Sequence, residues 1–589
     1  MASVHALMIL PAAAALLLFI LPWERLQYLL VGGTVALLAF LALGMALEPA
    51  AVMHYGLSRS AETLVIFADV ALLLYFVQQG GRYGDRRVIV LAAAQLLLYG
   101  WAEAILPETA AAPIVLDGLS RLMFPVINVV GGIIVVYALG YMAREAVSPM
   151  RRRLFVGYLL LFLSVMNAVV VANSLLLFFF LFEMTTLASY LLIAFRNDEI
   201  ARANALRALW MNQVGGVAIL LGTLVAIGGF GASTFSEVLA AGGGYALLPV
   251  ALVSIAALVK GASLPFDSWL LGAMVAPTPV SAMLHSAAMV KIAPYLILKL
   301  SPALAGSAVG MLLALLGAGV FVAASYLALS RSVFKEILGY STVALLGLMM
   351  SLAAVGDAQS TVLAQALLVF HALSKALLFL AAGVVEKLHH VKDIEAMKGL
   401  VGRASKSVGF ILFGFVSLTL PPFGLFMGKL FAIASVASQL KEHPWLLAVL
   451  LGIVVGSTLL VLLYFKVASA LLSQPSDVGV REKEVLPAAF AAPLWLLVLL
   501  TLLGAALFVV IWSEGNLMLL AVPLLLVALL PGLMRLTERF DRTPPYHCGE
   551  KEGFDAALVY FAPGTTLRRG IYWVAGAMFG AILFAGVLS

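Results

Sequence analysis

A near-unbroken succession of apolar runs, each about 20 residues long, extends from Leu7 almost to Ser589 and restricts the fold more than any other feature. Coiled at about 1.5 Å per residue, such a run matches the ~30 Å hydrocarbon thickness of a bilayer. Inside that layer every backbone N–H and C=O must be satisfied within the protein, so runs of this length are helices. Composition agrees: 63% of the 589 residues are hydrophobic and 11% are charged, against about 25% charged in soluble domains. The expected fold is an all-α polytopic membrane protein with no interval left for a large soluble domain.

Eighteen spans are expected, at about 6–22, 27–47, 62–78, 86–104, 117–141, 153–171, 174–195, 205–230, 246–271, 278–300, 304–330, 335–355, 361–386, 408–438, 444–470, 486–511, 515–535 and 568–588. The first run has the length of a signal-peptide core but lacks a basic segment before it, so it reads as a retained helix. An even number of spans puts both termini on one face. Of the 35 Lys and Arg, 26 fall in loops on the other face, among them Arg82, Arg86, Arg87, Arg151 to Arg153 and Lys392. Basic residues stay cytoplasmic, so both termini are expected outside the cell (inner) membrane. The net charge of +6 then reflects topology and gives no case for nucleic-acid binding. Cys548, the single cysteine, excludes an intrachain disulfide and a protein-bound iron–sulfur centre. No P-loop is present, and the pairs Gly32-Gly33 and Gly228-Gly229 read as helix-packing glycines.

Against this apolar background five lysines lie deep within spans, Lys260, Lys291, Lys375, Lys429 and Lys466, with Glu183 in a sixth span. Each charge near a bilayer centre costs about 3 kcal/mol on insertion scales, which marks such residues as sites for ions, protons or substrate. Two spans are also interrupted, by Gly261-Ala-Ser-Leu-Pro265 and by Pro421-Pro422-Phe-Gly424. Lys260 precedes the first break and Lys429 follows the second by two helical turns. Taken as five spans each, about 153–300 and 304–470, two groups carry their break in the fourth span and run in opposite directions. Transporters build midplane binding sites from inverted repeats with broken helices of this kind.

Lysine suits proton work because a neighbouring carboxylate and desolvation together decide whether it is charged. Glu183, in Phe180-Leu-Phe-Glu-Met-Thr-Thr186, is the expected partner of Lys260, either as a switch or as a static buried salt bridge. His285 and Lys291 share one span, and His371 and Lys375, four residues apart, share a helix face. Histidine titrates near neutrality and can pass a proton either way. The proposed proton-translocation set is Glu183, Lys260, His285, Lys291, Lys335, His371, Lys375 and Lys429. Lys335, at the cytoplasmic end of its helix, either joins the relay or anchors the helix, and Lys466 reads as a snorkelling anchor. Asp69 lies in mid-span without an identifiable partner, and His389 and His390 read as solvated loop residues.

The stretch Lys260-Gly-Ala-Ser-Leu-Pro-Phe-Asp-Ser-Trp-Leu270, followed by Ala276-Pro-Thr-Pro-Val-Ser-Ala-Met-Leu-His-Ser-Ala-Ala-Met-Val-Lys291, resembles the signature of a family of antiporter-like membrane subunits. The family comprises the large membrane subunits of respiratory complex I, their relatives in energy-converting NiFe hydrogenases and the Mrp cation/proton antiporters. The resemblance covers about residues 113–510 and includes Glu183, His371-Ala-Leu-Ser-Lys375, the Tyr340-Ser-Thr342 region and the helix of Lys429. It implies Glu183 with Lys260 as a pair, Lys291 and His371 as central relay, and Lys429 as the terminal group. Asp267 stands where the family often has His, and Gly272 and Val275 stand where it has acidic residues.

Residues 1–112 hold N-terminal helices with one hairpin more than the family pattern. Residues 511–589 add two spans separated by Pro544-Pro-Tyr-His-Cys-Gly-Glu550. That Cys-Gly loop resembles the energy-converting hydrogenase and formate hydrogenlyase branch. The resemblance implies a proton-translocating, and in some members Na⁺-coupled, subunit of a redox-driven respiratory complex. No cofactor would lie in this chain; iron–sulfur and NiFe centres would sit in peripheral partner subunits. The alternative is a subunit of an Mrp-type Na⁺/H⁺ antiporter without redox coupling.

Overall fold

Polar capping residues punctuate the apolar runs, and they set where the helices begin. In the computed structural model, which describes residues 2–21, 23–48, 51–107, 112–241, 246–398, 400–472, 484–512 and 563–588, the side chains of Ser58, Asp85, Ser148, Ser174, Asp198, Ser307 and Asp357 each accept a backbone N–H of a first helical turn. Gly84, Gly231 and Gly356 end helices in the left-handed conformation that glycine adopts without strain.

The helices are α1 (Ala2–Ile20), α2 (Glu24–Leu47), α3 (Arg59–Tyr83), α4 (Arg86–Ala104), α5 (Gly118–Met142), α6 (Pro149–Val169), α7 (Leu175–Ile193), α8 (Glu199–Phe230), α9 (Leu247–Lys260), α10 (Thr278–Leu304), α11 (Ala308–Leu329), α12 (Phe334–Val355), α13 (Ala358–Val384), α14 (Ser405–Thr419), α15 (Gly424–Ser438), α16 (Leu446–Leu472), α17 (Ala488–Trp512) and α18 (Thr565–Leu588). A two-stranded antiparallel sheet pairs β1 (Met53–Tyr55) with β2 (Ile114–Leu116) between the N-terminal helices and α5.

Among the described residues, 16 helical spans are long and apolar enough to cross a membrane, α14 and α15 together forming one of them, Ser405–Ser438. The two other expected spans account for the difference from eighteen. The one at 246–271 is a shorter apolar helix, α9, that stops at Lys260. The one at 515–535 lies outside the described residues, as do Cys548 and the loop around it.

Both sequence breaks are breaks in the structure. After Lys260 the chain turns through Gly261 to Pro265 before a short helix, Ser268–Gly272. Between α14 and α15, residues 420–423 are non-helical.

α10 and α12 form the buried centre, whereas α1 to α4 and α18 present apolar side chains such as Phe40, Phe67, Leu97 and Trp573 outward. That distribution suits a membrane protein, whose exterior is as apolar as its core. α11 lies against α12 with Gly317 and Gly347 back to back, so that a methyl on either would meet the other's carbonyl at 2.6–2.7 Å. These two are packing glycines. The expected ones, Gly32, Gly33, Gly228 and Gly229, would have nothing within 4 Å of an added methyl, which corrects that expectation. The hairpin α3–α4 is laid against the first group of helices, α3 on α7 and α4 on α8. α18 packs on α9 and α11.

Candidate functional site

At the first break, Lys260 is the last residue of α9 and is fully buried. A buried ammonium needs acceptors for its three N–H groups, and one turn of α7 supplies them. Lys260 Nζ donates to Thr186 Oγ1 (2.8 Å) and to the Phe182 carbonyl (3.1 Å), and it stands 3.8 Å from the centroid of the Phe182 ring. Phe182 and Thr186 share a helix face because they are four residues apart.

Glu183, the neighbour of Phe182, is also fully buried and points to a different partner. Its Oε1 accepts from Gln95 Nε2 of α4 (2.9 Å), which also donates to the Gln213 carbonyl (3.0 Å), and its Oε2 has no hydrogen-bond partner. Lys260 and Glu183 lie within electrostatic range of each other. Their hydrogen bonds go to neutral groups, so the expected pair is coupled through space and is not a direct salt bridge.

The centre of the site joins α10, α12 and α13. Lys291 Nζ meets His371 Nδ1 at 2.5 Å and donates to the Leu368 carbonyl (3.2 Å). Lys375 Nζ donates to the Leu338 carbonyl (3.1 Å) and to Ser341 Oγ. Lys291, His371 and Lys375 are all fully buried. Regular helix geometry does not hold around Lys291: a π-turn over Met283–Ala287 and a tight turn over Met289–Lys291 precede the straight part of α10. Such local rewinding often marks functional positions in helices. His285 lies in the π-turn, its ring 4.6 Å from that of Phe379, and neither ring nitrogen has a partner. It is close to the relay without being hydrogen-bonded into it.

At the second break Lys429 of α15 reaches back and donates to the Leu418 carbonyl of α14 (3.1 Å). The break frees carbonyls that a continuous helix would consume, and the lysine takes one of them.

Three expected or set-aside residues have structural partners. Lys335 forms an ion pair with Glu386 (2.5 Å), which also accepts from Thr278 Oγ1 (2.9 Å), beside a cavity lined by Arg196, Asp198 and Lys392. It is half-buried beside that cavity, whereas Lys260, Lys291 and Lys375 are fully buried. Lys466 Nζ donates to the Leu329 and Arg331 carbonyls (2.6 and 2.9 Å), where it closes the C-terminal end of α11. His389 is not merely solvated, as its Nε2 meets Glu484 Oε1 at 3.3 Å.

Sequence reading missed Glu386 and the surroundings of Asp267. Asp267 Oδ2 accepts from Tyr572 of α18 (2.7 Å) and from Tyr340 (3.3 Å), and Tyr340 in turn accepts from Arg331 (3.1 Å). Only the departure at Asp267 from the family pattern was a signal. Its tyrosine partners are 73 and 305 residues away in sequence.

Residues 172–460 match the family model described as NADH:quinone oxidoreductase/Mrp antiporter, TM, and residues 109–150 match that of NADH-Ubiquinone oxidoreductase (complex I), chain 5 N-terminus. The chain is 34% identical over 336 residues to a Na(+)/H(+) antiporter subunit from Alkalihalophilus pseudofirmus, covering 53% of this chain and 41% of that protein. It is 35% identical over 325 residues to NADH-quinone oxidoreductase subunit L of Mycobacterium tuberculosis, covering 53% and 50%. The chain thus spans about half or less of the length of these curated relatives.

Two solved structures are similar. A chain of the Mrp complex from Dietzia sp. DQ12-45-1b matches with a TM-score of 0.57 at 25% identity, over 89% of this chain and 55% of that one. A chain of the archaeal membrane-bound sulfane sulfur reductase matches with a TM-score of 0.66 at 18% identity, over 87% and 96%, and so shares the fold. None of these four is described as a hydrogenase subunit, and the expected lean to that branch finds no support in them.

Proposed function

Because the core of this chain belongs to the antiporter-like membrane subunits of the complex I and Mrp group, we propose that it translocates protons along the buried line Glu183, Lys260, Lys291, His371, Lys375 and Lys429, as one subunit of a larger assembly. One observation carries this reading: fully or almost fully buried ionisable groups recur in successive helices, with a lysine at each of the two helix breaks. A static scaffold has no need of them. Replacing a buried ionic group by a well-packed apolar one is often neutral or stabilising, so a scaffold gains little by keeping four lysines dry.

The chemistry follows from the contacts. Lys260, at the first break, holds a carbonyl of α7, Lys429 holds one beside the second break, and Lys291 shares a short contact with a histidine nitrogen. Both partners of that contact cannot be fully protonated, since two donors facing each other at 2.5 Å repel. One proton can therefore be shared between Lys291 and His371, and its position responds to the charge on Lys375, which lies within electrostatic range of both.

Two assemblies fit the relatives. An Mrp-type cation/proton antiporter is favoured by the antiporter relative from Alkalihalophilus pseudofirmus and by the Dietzia Mrp complex. A redox-driven complex, with its iron–sulfur centres in peripheral partners, is the second reading and rests on the subunit L relative. Lys335 and His285 are assigned supporting places, at the mouth and flank of the line. The cytoplasmic placement of the basic face and the external placement of both termini remain part of this proposal.

The test is proton movement into inverted vesicles, driven by an imposed pH difference, for Lys260→Met and Glu183→Gln. Both are expected to lose transport while the assembly accumulates normally. Wild-type rates in either would end the assignment. Copurifying partners separate the two assemblies: small antiporter subunits support the first, iron–sulfur proteins the second.

A further inference from the structure

Asp69, near the midpoint of α3, is fully buried, and neither of its carboxylate oxygens has a hydrogen-bond partner. A partnerless carboxyl in an apolar interior costs several kcal/mol, on the order of the membrane-centre penalty, and no packing role accounts for it. Ionisable groups of α4 and α7 lie within electrostatic range of it. On α4, Gln95, Tyr99 and Glu103 recur every four residues and so lie along one face. The Tyr99 hydroxyl is hydrogen-bonded to Glu103, and Asp69 lies within electrostatic range of Glu103, Tyr99 and Glu183. Gln95 holds Glu183 by its amide N–H (2.9 Å), while Gln95 Oε1 and Glu183 Oε2 are themselves unpartnered. Acceptor oxygens gathered without donors of their own are compatible only if protons are shared among the carboxyls.

The arrangement also has a direction. Glu103 is partly exposed and within electrostatic range of Glu62, at the ends of α4 and α3 remote from Arg82, Arg86 and Arg87. From there the polar face leads inward to Asp69 and Gln95, and then to Glu183 of the proposed relay. The hairpin lies outside the two segments that match the family models, 109–150 and 172–460.

We infer that the α3–α4 hairpin is a second proton path, running from Glu103 through Tyr99 and Asp69 to Glu183. Resting on the proton-translocation reading above, it gives the Glu183–Lys260 site access to the face opposite Arg82, Arg86 and Arg87. In each step one carboxyl O–H breaks and one forms: Glu103 gives its proton to the Tyr99 oxygen as Tyr99 passes its own to Asp69, and Asp69 then protonates Glu183, with side-chain rotation or an intervening water closing the gaps on either side of Asp69, whose oxygens have no direct partner. Each donor carboxyl is left as a carboxylate, and no electrons move. Gln95 orients Glu183 and does not titrate. From the elements packed against α3, the titratable groups facing Asp69 are Glu103 and Tyr99 of α4 and Glu183 of α7.

The test uses the full chain with its native partners in vesicles, an imposed pH difference and a pH-sensitive dye. Asp69→Asn is expected to slow proton movement by about tenfold or more, and Asp69→Glu to restore most of it with a displaced pH profile. Glu183→Gln serves as the reference. If Glu183→Gln is inactive and Asp69→Asn keeps the wild-type rate and pH profile, the hairpin path is overturned while the relay stands. If Glu183→Gln is active, the underlying reading fails instead. Should Asp69→Asn not assemble, a hydrophobic carbodiimide, which reacts with protonated carboxyls, is applied to the wild-type protein. An adduct at Asp69 with loss of transport supports the path, and an unmodified Asp69 overturns it.

Discussion

Gly216 of α8 provides the sharpest test of the geometry at Glu183. A methyl added there overlaps both Glu183 Oε1 and Gln95 Nε2, the two atoms of the bond that joins the hairpin to the site. Gly216→Ala therefore has three effects. Helix propensity favours alanine by about 1 kcal/mol. Overpacking costs about 1–3 kcal/mol, and loss of the Gln95–Glu183 bond about 1–3 kcal/mol more, leaving a net destabilisation of about 1–5 kcal/mol. If only the bond's share reaches the rate-limiting step, transport slows by about fivefold to a hundredfold. Gly228 on the same helix has nothing within 4 Å and is the control: Gly228→Ala gains helix propensity and leaves transport unchanged. Gly215 is intermediate, with its methyl 3.0 Å from the Phe182 ring. The assay is the same vesicle uptake, with thermal unfolding of the solubilised protein alongside. A Gly216→Ala protein matching Gly228→Ala in both would refute the packing of Gln95 onto Glu183.

Further outcomes concern the lysines and the hairpin turn. Thr186→Val removes the hydroxyl that Lys260 donates to and keeps the side-chain shape, so transport should fall about tenfold, the worth of one hydrogen bond to a charged group, with normal yield of the assembly. Lys466→Met should lower thermal stability by about 1–3 kcal/mol through two carbonyls left without a donor, that of Leu329 at the end of α11 and that of Arg331 just beyond it, yet transport should persist; lost transport at normal stability would place Lys466 in the relay. Asp85 caps α4, and the Arg87 side chain, by hydrogen-bonding to it, holds its carboxyl below the usual aspartate range. Because that value is depressed in the folded protein, the stabilisation is present above the ordinary aspartate value of about 3.9 and is lost as pH falls through the lower folded value. Asp85→Ala should thus cost about 1 kcal/mol near neutrality, and the deficit should shrink in unfolding scans taken below about pH 4.

What could be read from sequence follows from what is local. Apolar runs, the capping residues beside them and the two proline breaks are each encoded within one segment, and the structure has helices and interruptions at those places. The buried lysines were equally plain, because a charge in an apolar run has few innocent explanations. Partners were not legible. Lys260 prefers the hydroxyl of Thr186 and a carbonyl to the expected carboxylate, and Glu183 takes a glutamine from a hairpin 88 residues earlier. Such choices depend on how helices rotate against one another, which periodicity in a uniformly apolar helix does not reveal. The packing glycines went wrong for the same reason: Gly228 and Gly229 look like Gly317 and Gly347 in sequence, and only the neighbouring helix distinguishes them.

The contact between Lys291 and His371 spans 80 residues of chain. A ribosome adds about 5–20 residues per second, so α10 emerges roughly 4 to 16 s before the histidine that its lysine meets. Until then the Lys291 charge must be borne by the nascent bundle, the lipid or the insertion machinery. α12 is in the same position, since it is enclosed on all sides only when α13 and later helices arrive. The centre of this protein is therefore completed late: α13 is the helix that closes it, and a chain halted before α13 would leave its most buried segments uncovered in an unfinished fold.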